Sequence, residues 1–245
     1  LINTAYRYPL VTEPPLYRPD FTRDNMGWGI VDVATLYEQR NNMFIVNETD
    51  LLPLFGTRTY TYTVPTGSPA LRVTMVYADP PGIPNSTSNL VNDLSVKVIS
   101  PSGTLCWGNF GLVSCPIPGA CLDDFFVGNW SVPASSTLAK DHKNNVENVF
   151  IKNPQPGTWT ITVSADSIVQ DGHVETPLLD ADFALVVSSG DRPRGRCCQT
   201  VCTPSYHCTC SWTSRSACTG PGAVWVSDAT CADDCTNVCF DVCPA

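Results

Sequence analysis

Residues 144–165 read NNVENVFIKNPQPGTWTITVSA, two runs of alternating character on either side of the turn NPQPG. A period of two sends successive side chains to opposite faces of a strand. In TWTITVSA it puts Trp159, Ile161 and Val163 on one face and Thr158, Thr160 and Thr162 on the other. One face is expected in a core and the other in water. The prolines and glycine of NPQPG reverse the chain, so the stretch predicts an antiparallel hairpin.

The same signal extends in both directions from the hairpin. Strands are predicted over MFIVN (43–47), TRTYTYTV (57–64), ALRVTMVYA (70–78), DLSVKVIS (93–100), TLCWG (104–108), ENVFIK (147–152), TWTITVSA (158–165) and DFALVVSS (182–189). Their β-branched and aromatic content and their turn punctuation are those of an antiparallel all-β sandwich or barrel. About eight strands suit a jelly roll. Before residue 43 the pattern is mixed and broken by prolines. There GWGIVDVATLYEQ predicts a glycine turn into a short helix, with Val31, Ala34 and Leu36 as buried positions. After the linker GDRPRGR (190–196) the strand pattern is expected to stop. The division is therefore 1–42, 43–189, a linker at 190–196, and 197–245.

That last segment holds ten of the 13 cysteines: Cys197, Cys198, Cys202, Cys208, Cys210, Cys218, Cys231, Cys235, Cys239 and Cys243. It has too few large apolar residues for a core, so disulfides are expected to hold it. The other three, Cys106, Cys115 and Cys121, lie in LCWGNFGLVSCPIPGACLDDFFVG (105–128). Three cysteines can close one bridge and leave one over, for the tail, another chain or a free thiol. The spacing lacks two CxxC knuckles, which argues against zinc. Such cysteine density implies an oxidising, extracellular setting. Three N-glycosylation sequons, at Asn47, Asn85 and Asn129, agree with it and predict N-linked glycans.

The 245 residues are 43% hydrophobic, enough for a sizeable core. With 14 basic and 23 acidic residues the net charge is −9, and no basic stripe is present to hold a phosphate backbone. Nucleic acid is not an expected partner. No apolar run is long enough to span a membrane. Leu1 begins in mid-pattern without an export signal, so a secreted origin implies the removal of something N-terminal.

Four stretches resemble one family. LINTA (1–5) and NMGWGIVDVATLY (25–37) are similar to late elements of the catalytic domain of subtilisin-like serine proteases. NLVNDLSVKVISPSGT (89–104) and the opening stretch, followed by FALVVSS (183–189), resemble the C-terminal jelly-roll β-barrel that some of these subtilases append. The resemblance covers roughly 1–189. It implies a remnant of an α/β catalytic domain ahead of the barrel, and a parent serine endopeptidase. It supplies no catalytic residue here, because the serine motif of the family is absent from this sequence. His142 lies beside Asp141, but neighbours in sequence rarely orient each other as base and carboxylate.

The resemblance also implies calcium held by the loop before the hairpin, where Asp141, Asn144 and Asn145 are the oxygen ligands left; Asp93 in VNDL is a second candidate, with an Asx-turn at the strand entry as its alternative. The family aspartate after glycine-asparagine is replaced by Trp130. Side-chain capping of turns by Asn144, Asn145 and Asn148 competes with that reading. Under the family reading the partner is an N-terminal chain carrying the triad, and this chain alone is inactive. The rival is a structural or adhesive extracellular glycoprotein that associates with copies of itself. A lectin-like module rests on fold analogy alone.

Overall fold

The computed structural model describes residues 1–5, 27–86, 89–113, 130–134, 136–190, 195–201, 207–213, 218 and 223–226. They fall into two compact units, 41–190 in one and 1–5, 28–40 and the described part of 195–226 in the other. Among the described residues, no helix is long and apolar enough to cross a membrane.

The first unit is all-β. It contains β1 (Met43–Pro53), β2 (Thr57–Val64), β3 (Ala70–Val76), β4 (Asp93–Ile99), β5 (Leu105–Trp107), β6 (Val146–Lys152), β7 (Gly157–Ser167) and β8 (Asp180–Ser188). One antiparallel sheet has the order β1-β8-β3-β6 and the other β2-β7-β4-β5. All eight predicted strands are present, and β1 and β7 run further than their alternation indicated. In β1 the register shifts between Asn47 and Leu51, and Glu48 adopts φ 56 there. This bulge broke the period-two signal after Asn47.

The core lies between the sheets. Leu71, Val73 and Met75 of β3, Phe183, Leu185 and Val187 of β8, and Val96 and Val98 of β4 are fully buried, as are Ile161 and Val163 of β7. Each contributes ~1.5–3 kcal/mol relative to exposure. Trp159 joins them on the inward face, as its alternation predicted. The opposite face is less uniform: Thr158 is exposed and Thr162 is buried. The turn of the opening hairpin starts at Asn153, φ 47, and ends at Gly157, φ 122, conformations that asparagine and glycine tolerate.

In the second unit, α1 (Val33–Gln39) is capped by Asp32, whose carboxylate accepts from Thr35 N at 2.9 Å and Thr35 Oγ1 at 2.6 Å. The helix is where GWGIVDVATLYEQ placed it, but its buried residues are Thr35 and Gln39. Val31 and Ala34 are exposed and Leu36 is half-buried. The inward face is the polar i, i+4 pair, which an apolar-periodicity reading passes over.

The strands also do not stop at the linker. β9 (Gly195–Val201), β10 (His207–Thr213) and β11 (Val224–Val226) form a three-stranded antiparallel sheet, β10-β9-β11. Cysteine and threonine at these positions gave no apolar alternation to detect. Cys197 is bonded to Cys218, and Cys198 also lies in a disulfide. Cys106 corrects the expectation of a bridge: it is a free thiol in the sandwich core, pushed up to about 11 by burial. β5 directs it inward with the apolar residues of the core. Cys115, Cys121, Cys202, Cys231, Cys235, Cys239 and Cys243 lie outside the described residues, as do the side chains of Cys208 and Cys210.

Candidate functional site

A polar cluster gathers at one end of the sandwich, where β4 begins and β7 ends. Along β4, Leu94, Val96 and Val98 point inward, so Asp93, Ser95 and Lys97 point outward. The β4–β7 register pairs Asp93 with Ser167 and Leu94 with Ala165, which leaves Asp166 as the extra residue of a β-bulge. The bulge aims Asp166 at β4, where Ser95 Oγ donates to its Oδ2 at 2.7 Å. The loop 137–145 brings two further groups. Lys140 Nζ lies 2.6 Å from Asp166 Oδ1 and 2.7 Å from Oδ2, and His142 Nδ1 lies 2.6 Å from Asp93 Oδ2. Trp107, on the outward face of β5, has Lys140 Nζ 4.9 Å and Lys97 Nζ 5.9 Å from its ring centroid. Burial lifts the Asp93 carboxyl above its ordinary value, against the opposing hydrogen bond from His142.

Asp141 organises the same loop locally. Its Oδ1 accepts from Lys143 N at 2.8 Å and Asn144 N at 3.2 Å, and its Oδ2 from Asn109 Nδ2 at 2.6 Å and Asn144 Nδ2 at 2.7 Å. Asn145 Nδ2 donates to Tyr77 O at 3.0 Å. Asn109 Oδ1 in turn accepts from Asn148 N at 2.9 Å. A cavity of about 540 Å³ beside them is lined by Asn109, Lys140, Asp141, His142, Lys143 and Asn144, among others.

Of the four expected calcium ligands, Asp141 and Asn144 therefore bond to each other, Asn145 holds the end of β3, and Asp93 pairs with His142. They belong to separate hydrogen-bond sets, and both Asp141 oxygens face N–H donors. This donor set does not fit a single calcium cage, which needs six or more converging oxygens. The turn-capping alternative is not met by the asparagines either: Asp141 caps the turn, Asn144 and Asn145 reach Asp141 and Tyr77 O, and Asn148 Oδ1 accepts from Thr74 Oγ1 at 2.5 Å.

The group that sequence reading missed is Glu147. It stands on the inward face of β6 with Val149, fully buried, and its Oε2 accepts from Val96 N at 2.8 Å. That N–H would otherwise be unpaired where β5 gives way to the turn at Gly108. A Cβ on Gly108 would sit 2.0 Å from Oε2 and 2.8 Å from the Glu147 Cβ and Cδ, so only glycine fits. Oε1 is buried without a hydrogen-bond partner. Burial holds the carboxyl well above the usual range, opposed by the Val96 bond and reinforced by Asp141, Asp93 and Asp166. The available signal was a charged residue at an apolar position of VENVFIK. Asn92 was missed too: its Oδ1 accepts from Val169 N at 2.9 Å and Gln170 N at 3.1 Å, and its Nδ2 donates to Gln170 O at 2.8 Å, fastening the β7–β8 loop.

His142 pairs with Asp93 and not with its neighbour Asp141. His173 lies 3.7 Å from Glu175 Oε2 and 4.0 Å from Asp180 Oδ1. The sequon residues Asn47 and Asn85 are exposed, and Asn129 lies outside the described residues.

No protein-family model matches the sequence, and no curated protein matches it either. Among solved structures, one match is a Bacillus licheniformis lipase in its propeptide form. It is 13% identical, with a TM-score of 0.28, and the alignment covers 71% of this chain. The chain spans 31% of that protein's length. A likeness of this size carries no argument about fold or activity.

Proposed function

We propose that this chain is the non-catalytic C-terminal part of a secreted subtilisin-like serine endopeptidase: a jelly-roll sandwich and a disulfide-bonded module that stabilise the protease or present substrate to it. The strand orders β1-β8-β3-β6 and β2-β7-β4-β5 support the jelly roll, since eight strands wound as two Greek keys lie down in that order. The observation that carries the functional reading is where the two most family-like stretches meet. NLVNDLSV and NNVENVFI are joined through Glu147 Oε2 and Val96 N, and β4 pairs along β7. The residues that carry the resemblance thus hold backbone in place. Ser95 serves Asp166 and His142 serves Asp93, which is the behaviour of a scaffold and not of a nucleophile with its base.

The test is to treat natively purified material with a fluorophosphonate probe and identify every polypeptide by mass spectrometry. The proposal predicts label on a second, triad-bearing chain or segment and none on residues 1–245. Unlabelled material composed only of this chain would replace it with the self-associating glycoprotein.

A further inference from the structure

We propose that Lys140 and Asp166 form an intramolecular isopeptide bond, covalently tying the loop 137–145 to the end of β7. Nζ lies 2.6 Å and 2.7 Å from the two oxygens of Asp166, so a two-point contact holds the amine nitrogen next to the acyl group it would attack. Such prepaid orientation is what speeds intramolecular acyl transfer. The two side chains are only 14% and 24% exposed. The Trp107 ring lies 4.9 Å from Nζ and excludes water on that side. Ser95 Oγ donates to Oδ2 at 2.7 Å and polarises the acceptor. A second carboxyl is in place: an Asp93 oxygen lies within 4.8 Å of one from Asp166, and Asp93 Oδ1 is buried without a hydrogen-bond partner. His142 fixes the other Asp93 oxygen at 2.6 Å. An ordinary ion pair needs neither the half-buried second acid nor the aromatic wall.

The chemistry balances without any co-reactant. The Lys140 ammonium passes a proton to the Asp166 carboxylate, leaving an amine facing a carboxylic acid. The Nζ lone pair adds to Cγ and forms the C–N bond. A further Nζ proton is relayed through Asp93 to the hydroxyl on Cγ, the C–O bond breaks and water leaves. Ammonium and carboxylate have become an amide and one water, and Asp93 ends as it began.

The experiment is an intact mass on the full chain, secreted from an oxidising host, deglycosylated, then denatured, reduced and alkylated. The wild type is expected to be lighter than its sequence by one water, with a fragment spectrum joining the peptides that contain residues 140 and 166. Lys140→Arg keeps the charge and should show the full mass. Asp166→Asn should lose ammonia in place of water, because its leaving group is an amine. Asp93→Asn should slow the reaction by about 10²-fold or more. A wild type that keeps its full mass after prolonged warm incubation, while its melt shows it folded, overturns the proposal. So does a water loss that persists in Lys140→Arg, which would mark succinimide formation elsewhere.

Discussion

The sandwich and the cysteine-rich sheet are both antiparallel β-structure, yet different forces hold them. Between the two four-stranded sheets lies a continuous apolar core, and the one cysteine in it among the described residues, Cys106, is a free thiol. In β9 the buried positions include Cys197 and Cys198, both in disulfides. A chain with enough apolar residues to close a core uses sulfur as a small hydrophobe. A segment without them needs covalent closure. Cysteine count alone could not separate these uses, because it says nothing about which face of a strand the sulfur occupies.

Reducing the disulfides is expected to break the comparison most strongly. It should abolish the β9–β11 sheet, removing about 2–5 kcal/mol per lost bridge, while the far-UV signal of 41–190 persists. Native thiol titration should find Cys106 silent, and denaturation should expose one thiol per chain if the remaining twelve cysteines pair.

Within the sandwich, Gly108→Ala should cost about 3 kcal/mol, the upper end of the overpacking range, in denaturant melts, because its Cβ collides with the Glu147 carboxyl. Glu147→Ala removes the acceptor of Val96 N and should cost about 1–3 kcal/mol for the orphaned donor, plus a cavity term. The double variant should recover part of the Gly108→Ala loss, since the clashing atoms are gone.

A smaller effect distinguishes a buried acid from a buried amide. The Glu147 carboxyl is raised in the folded state. Its contribution is therefore fully present below the unfolded value of ~4.3 and is lost as pH rises toward the folded value. Asp93 acts in the same direction. Glu147→Gln cannot ionise, so its stability relative to wild type should grow as pH rises above ~4.3, read as a widening gap in Tm. A gap independent of pH would mean that Glu147 is ionised in both states.

The fold of 41–190 was legible because period two, turn chemistry and β-branched content agree along β2, β3, β4 and β7. The extension of β1 was hidden by its bulge, and the tail sheet by its lack of apolar alternation. At the polar cluster, Asp93 and Asp141 stood out as carboxylates, but their partners did not. Asp166 reaches Ser95 only because of a bulge, Lys140 enters from a loop with no regular pattern, and Asn109 meets Asp141 across a separation of 32 residues. Register and loop path are long-range facts. Glu147 left a readable trace, a charge on an apolar face, and the strand reading passed over it.

The most direct test is hydrogen exchange followed by mass spectrometry on the full chain, with and without reductant. The account predicts that amides of β3, β4, β7 and β8 keep their protection when the disulfides are reduced, while those of β9 and β10 exchange freely. Equal loss of protection in both regions would contradict it, and would mean that the sandwich depends on the cross-links of its neighbour.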